Sequence, residues 1–190
     1  MTLPDHPGVM YLNCESGKRL PFPNKFDRYV ITDPLQVYEA FDAAENMPHI
    51  HTIVVDSITF LMDMFESLYV VNSSNTMKGW ADYNQFFKNL MQDKVAKSTK
   101  RVIFTAHTLS QLNENEMVIE TKIPVKGALK NQGIEAYFTC IVYAKKMQLK
   151  HLKNYENDLL VVTPEEEMLG FKHVFQTCIT KDTVHERIRS

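Results

Sequence analysis

Cysteine is scarce in this chain. Of 190 residues only three are Cys, at positions 14, 140 and 178. An odd number, widely separated, gives neither a disulfide framework nor metal-ligand spacing. Each lies in an apolar, strand-like run, so buried thiols in a reducing cytosol are expected. Long hydrophobic runs are also lacking. No stretch approaches the roughly 18 apolar residues of a membrane helix. The opening MTLPDHPGV has neither the basic n-region nor the apolar h-region of a signal peptide. The expectation is therefore a cytoplasmic protein with no membrane partner. Charge of one sign does not dominate. Lys plus Arg number 21 against 23 Asp plus Glu, for a net charge of −2. No global basic field draws the chain to nucleic acid, so such contact needs a local patch or an oligomer. No Ser/His/Asp or Cys/His hydrolase constellation stands out. His49 and His51 could face one way on a strand, but no carboxylate or Cys near them in sequence completes a metal set.

What is present is an ordinary globular composition, 44% hydrophobic and 23% charged. The length suits one domain spanning residues 1–190 with a sizeable core. Apolar runs at Val9–Asn13, Arg28–Thr32, Ile50–Asp56 and Arg101–Ala106 read as strands. Between them lie helical patterns. Asp33-Pro34 opens one, with Val37, Tyr38, Phe41 and Ala44 on its apolar face. A second carries Leu61, Met64, Phe65, Leu68 and Val71, and ends at Asn72–Asn75. A third runs from Met77 to Lys97 with Trp80, Tyr83, Phe87, Leu90, Met91 and Val95 on one side. Alternating strands and helices imply an α/β fold, a mainly parallel sheet with helices on both faces. Further on, Met117–Val125 alternates like an antiparallel or edge strand, and Lys126–Gly133 reads as a mobile loop or short helix. Ala136–Ala144 and Lys172–Thr180 read as late strands of the sheet, and Glu165–Glu167 as a solvated acidic turn.

In a parallel sheet the C-terminal strand ends share one rim, where ligands bind. Glu15, Asp56 and His107 fall just past three such ends. The strand TIVVD runs straight into Asp-Ser, the way a strand ends on a Mg²⁺-holding aspartate beside a phosphate-cradling loop. That loop has the pattern G-x-x-x-x-G-K-[ST]. Gly17-Lys18 lacks the earlier glycine and is followed by Arg19, and Lys126-Gly127 has the wrong order. The chain contains no such motif.

The remaining segments, taken in order, resemble a known family. VMYLNCESG ends a strand in an acidic residue, and TIVVDSITF ends one in Asp-Ser. GWADYNQF is a Trp-Xaa-Xaa-Tyr helix, and VIFTAHT a strand running into Thr-Xaa-His. VKGALKNQGIEAYFTCIVY and HVFQTCITKDTVHERIRS follow. From about Leu3 to Arg187 the chain resembles the RecA-like P-loop ATPases, most nearly the compact phage ATPases of the Sak-type recombination and single-strand-annealing group. The resemblance implies a three-layer RecA-like fold whose P-loop strand and helix would precede Leu3-Pro4-Asp5 and are missing. ATP and Mg²⁺ are the implied cofactors, single-stranded DNA an implied partner, and the host cytoplasm the location for a phage-encoded chain. A chain without the loop is expected to hydrolyse ATP poorly, or to serve as a non-catalytic scaffold that keeps the fold. It is also expected to self-associate or to take a second chain that completes the sheet.

By resemblance, Asp56 holds Mg²⁺ directly or through water; a helix cap is its plain alternative. Ser57 and Thr105 would lie on the nucleotide side. Glu15 resembles the glutamate that activates the attacking water, and His107 the sensor of the γ-phosphate. Arg187 is the best candidate for a residue that reaches a neighbouring subunit's phosphate, with a solvated tail as the alternative. Lys122, Lys126 and Lys130 lie in the segment that contacts single-stranded DNA in the family. Glu114, Glu116 and Glu120 balance their charge, and no aromatic stacking platform accompanies them.

Overall fold

The computed structural model describes residues 7–114, 117–155 and 157–189. Leu3–Asp5 and Glu116 lie outside the described residues. The chain divides into two compact units, Met1–Leu109 with Ile123–Ile134, and Ser110–Lys122 with Glu135–Ser190.

The first unit is built on a four-stranded parallel sheet in the order β2-β1-β3-β4. Its strands are β1 (Val9–Asn13), β2 (Asp27–Val30), β3 (Thr52–Asp56) and β4 (Arg101–Phe104). All five residues of β1 and the first four of β3 are buried. Successive strand residues point to opposite faces, so burial of every residue requires cover on both. That is why these strands read as unbroken apolar runs. Three helices flank the sheet: α1 (Gln36–Glu45), α2 (Ile58–Phe65) and α3 (Thr76–Asn89). Leu20 and Phe26, from the connection after β1, cover Val9, Tyr11 and Val54. The edges are less protected, and Tyr29 and Val30 of β2 and Ile103 of β4 are exposed.

Two helices widen at their C-terminal ends. After α2 comes a π-helical turn, Glu66–Val70, and after α3 another, Leu90–Val95. The first changes which residues face inward. Leu68 and Val71, expected on the buried face, are 42% and 68% exposed, while Val70 is buried. A single wide turn rotates the following residues off the 3.6-residue period. The second helix reaches the expected length and buries Tyr83, Phe87, Leu90 and Met91. Lys126–Gly133 holds the short helix α4 (Leu129–Gln132), with Leu129 fully buried.

The second unit contains an antiparallel ribbon of β7 (Tyr143–Gln148) and β8 (Phe171–Gln176). A further strand pair joins β5 (Leu109–Asn113) to β6 (Val118–Lys122). Two late strands of the parallel sheet were expected here. Instead, Ile134–Tyr137 is a 3₁₀ turn, and the two later strands pair with each other. The sequence YAKKMQ explains the difference, since Lys145 and Lys146 on opposite faces cannot both be buried. The short helices α5 (Leu149–Leu152) and α6 (Pro164–Leu169) lie between the two strands in sequence. Glu165–Glu167 forms the first turn of α6 rather than a loose turn. Thr163 and Glu166 close a capping box there, and acidic side chains favour a helix N-terminus. Cys14 is buried as expected, but Cys140 and Cys178 are exposed. Both flank strands instead of belonging to them.

Candidate functional site

The register of the sheet sets the site. Asn13 of β1 lies opposite Asp56 of β3, and Val55 lies opposite Phe104 of β4. The residues just beyond, Glu15, Ser57 and Thr105, therefore leave the sheet together at one rim. Backbone bonds hold the strand ends close. The Cys14 N–H donates to the Asp56 carbonyl at 2.7 Å, and the Ile58 N–H to the Thr105 carbonyl at 3.0 Å. The Asp56–Ser57 peptide is cis.

Both carboxylate oxygens of Asp56 accept hydrogen bonds. The Tyr11 hydroxyl donates to Oδ2 and the Thr105 hydroxyl to Oδ1. Glu15 forms the second centre. Its Oε1 lies 2.9 Å from His107 Nε2 and accepts the buried Ser57 hydroxyl at 3.3 Å. Its Oε2 lies 3.3 Å from Lys18 Nζ. Ser57 occupies the N-cap position of α2, yet its hydroxyl serves Glu15 and caps nothing. His107 is fixed further by its N–H, which donates to Thr59 Oγ1 at 3.0 Å, and by an edge contact with the Phe60 ring. Glu15, Asp56, Ser57, Thr105 and His107 thus lie at one rim in two adjoining hydrogen-bonded sets, linked through the backbone at the ends of β1, β3 and β4.

The electrostatics follow from these contacts. The His107 bond holds the Glu15 carboxyl below its ordinary range; partial burial opposes this and Lys18 assists. Burial, with the Asp56 bond and charge added, raises the Tyr11 phenol. Burial pushes the Cys14 thiol up to about 12, and the carboxylates of Asp56 and Glu15 add to it. Glu15 is therefore an anion at neutral pH, while Tyr11 and Cys14 stay protonated.

The other expected residues lie elsewhere. Lys126 of the first unit pairs with Glu66 at 2.5 Å, and its N–H donates to Tyr83 Oη at 3.3 Å. Lys130 is exposed. Lys122 and Arg187 belong to the second unit, where Arg187 lies 3.7 Å from the buried Glu135. His49 faces Asp27, and His51 bonds Thr52 and the Pro7 carbonyl. Among the described residues no group of three or more His, Cys, Asp or Glu is placed to hold a metal.

Sequence reading missed Tyr11, Asn13, Lys18 and Thr59. Asn13 is 1% exposed; its Oδ1 accepts the Glu15 N–H at 2.9 Å and its Nδ2 donates to the Lys18 carbonyl at 2.6 Å. It thereby shapes the turn in which Ser16 and Gly17 take positive φ, 53° and 76°. A lone Asn ending an apolar strand was the available signal, since a buried amide needs partners. Tyr11 looked like one more core aromatic.

The fold agrees with the comparison to known families. A family model described as an AAA domain matches residues 2–171. The chain belongs to this AAA-domain family, whose core is of the P-loop-NTPase type and whose function is of the ATPase type. No curated protein and no solved structure matches it. No described helix is long and apolar enough to cross a membrane.

Proposed function

We propose that the rim holding Asp56, Thr105, Glu15 and His107 is the magnesium and water-activating half of an ATPase site. One observation carries the reading: polar groups from the ends of three adjacent parallel strands meet at one rim in two adjoining hydrogen-bonded sets, Asp56 with Tyr11 and Thr105, and Glu15 with His107 and Ser57. Asp56 would hold the ion. An all-oxygen environment suits Mg²⁺, which keeps several waters and needs only one or two carboxylates beside the phosphates. Both Asp56 oxygens are engaged by hydroxyls, which fits contact through water. Bound Mg²⁺ would neutralise charge developing on the phosphates. Glu15, kept anionic, is the group to orient a water; His107, hydrogen-bonded to it, is the group to read the γ-phosphate. Ser57 and Thr105 set the positions of the two carboxylates.

The wider role in this proposal is that of the phage Sak-type ATPases of DNA recombination and single-strand annealing. Single-stranded DNA is the partner, and Lys122, Lys126 and Lys130 are its first candidates. Arg187 would act across a subunit boundary in a homo-oligomer. The phosphate-loop motif is absent from the sequence, so the expected turnover of this chain alone is slow. A second chain carrying that loop would complete the site. The same absence favours the second reading, a scaffold that keeps the fold without the chemistry.

Phosphate release from Mg²⁺-ATP by the purified chain tests the choice. Slow release that Glu15→Gln removes supports the ATPase reading. Release equal in both chains, or none in either, supports the scaffold. Turnover comparable with intact family members would contradict the expected slow rate.

A further inference from the structure

The connection from β1 to β2 leaves the sheet at the rim that holds Glu15 and Asp56. Residues 16–28 carry Lys18, Arg19, Lys25 and Arg28 against a single acid, Asp27, which faces His49. The first turn of this basic connection is firmly held. The Lys18 carbonyl accepts Asn13 Nδ2 at 2.6 Å and Arg28 Nη2 at 2.9 Å, and the Gly17 carbonyl accepts the same Arg28 group at 2.6 Å. The Lys18 side chain, by contrast, is 69% exposed. Its ammonium rests 3.3 Å from Glu15 Oε2 and 5.4 Å from the centre of the Phe60 ring. His107 meets the other oxygen of Glu15 and makes an edge contact with the same ring. Lys18 and His107 therefore flank one carboxylate and share one aromatic support.

We propose that Lys18 binds the terminal phosphate of the nucleotide and makes the rim prefer a triphosphate to a diphosphate. The inference rests on the reading of this rim as a nucleotide site. A Mg²⁺-triphosphate is itself an anion, so the carboxylates of Asp56 and Glu15 alone would repel it. A cation on the same rim is needed, and the sequence lacks the motif whose lysine commonly meets these phosphates. Among the described residues, Lys18 is the one Lys or Arg side chain paired with either carboxylate. Its contact with Glu15 is longer than the about 2.7–2.9 Å usual for an ammonium and a carboxylate, and exposed pairs of this kind contribute little. The ammonium can therefore pass to a phosphate at small cost, on a flexible stem that Arg would not match. The bonds of the turn keep its backbone in place. Its departure also frees Glu15 Oε2 to meet the water that Glu15 orients. The plain alternative, a solvated Glu–Lys pair on a turn, predicts no discrimination between nucleotides.

Calorimetric titration of Mg²⁺-ATP and of Mg²⁺-ADP into the full chain tests the role. Lys18→Ala is expected to weaken Mg²⁺-ATP binding roughly five- to fifty-fold, while Mg²⁺-ADP binds as it does to the parent chain. Lys18→Arg keeps the charge and is expected to retain most of the preference. Lys97 is an exposed lysine on the connection entering β4, at the opposite edge of the sheet. Lys97→Ala is expected to bind both nucleotides like the parent chain. Lys18 is exposed, so matching melting curves exclude misfolding. If Asp56→Ala abolishes binding but Lys18→Ala keeps the parent's ratio of ATP to ADP affinity, the Lys18 proposal is overturned and the nucleotide site stands. An equal loss of both nucleotides in Lys18→Ala overturns the claimed selectivity. The same loss in Lys97→Ala reduces the effect to net charge and also overturns the proposal. Absence of Mg²⁺-ATP binding in the parent chain overturns the reading of the rim, and the role of Lys18 with it.

Discussion

Tyr11 of β1 donates its hydroxyl to Asp56 at the end of β3, crossing between adjacent strands. The bond fixes one oxygen of the carboxylate most central to the site, and Thr105 fixes the other. Tyr11→Phe removes the donor and keeps the ring, which also stacks on Phe26. A hydrogen bond to a charged acceptor is worth about 1.5–3 kcal/mol, and a loss near the lower end is expected in urea unfolding. The raised phenol adds a pH signature. The unfolded phenol ionises near 10 and the folded one higher. Stability therefore falls as pH rises above about 10, and Tyr11→Phe flattens that fall. Equal midpoints for both chains at every pH would refute the role.

Glu15 gives the opposite sign. Its carboxyl is held below its ordinary value of 4.5 by His107 and Lys18. The stability it contributes is complete above that value and is lost as pH falls through the lower folded value. Urea midpoints measured from pH 7 down to pH 3 should show an acid limb in the parent chain that Glu15→Gln reduces. An identical acid limb in the variant would remove Glu15 from the network.

Asn13 is the buried brace of the same turn. Asn13→Ala leaves the Glu15 N–H without its side-chain acceptor and the Lys18 carbonyl with Arg28 as its remaining side-chain donor. The expected cost is about 1–3 kcal/mol, with Glu15 displaced. Chemical denaturation gives the first, and a weakened acid limb the second. A variant within about 0.5 kcal/mol of the parent chain, the range of an ordinary surface change, would show that the brace is dispensable.

The cysteines separate by environment. Cys14 is 2% exposed and its thiol is pushed up to about 12. The thiolate is the reactive form, so iodoacetamide should modify Cys140 and Cys178 in the folded chain and reach Cys14 only on unfolding. Peptide masses report the sites. Rapid native labelling of Cys14 would mean that β1 opens readily.

The buried strands and the rim were legible in the sequence because β1 and β3 are buried on both faces and end on one polar residue each. Asn13 and Tyr11 were less legible, since a polar atom inside a strand shows its purpose only when its neighbour in the sheet is known. The two π turns were invisible for a related reason: one extra residue per turn leaves composition unchanged and moves Leu68 and Val71 outward. In β8 the alternation of Phe171, His173 and Phe175 was plain, but it reads equally as a core strand. Only the pairing with Lys146 and the 79% exposure of Phe175 show that this side faces outward.

The most direct measurement is calorimetric titration of Mg²⁺-ATP into the folded chain, with Asp56→Ala as the comparison. The expected result is weak, saturable, Mg²⁺-dependent binding that Asp56→Ala removes while the variant still unfolds cooperatively. Absence of binding in the parent chain, or binding that Asp56→Ala leaves intact, would contradict a nucleotide site at this rim.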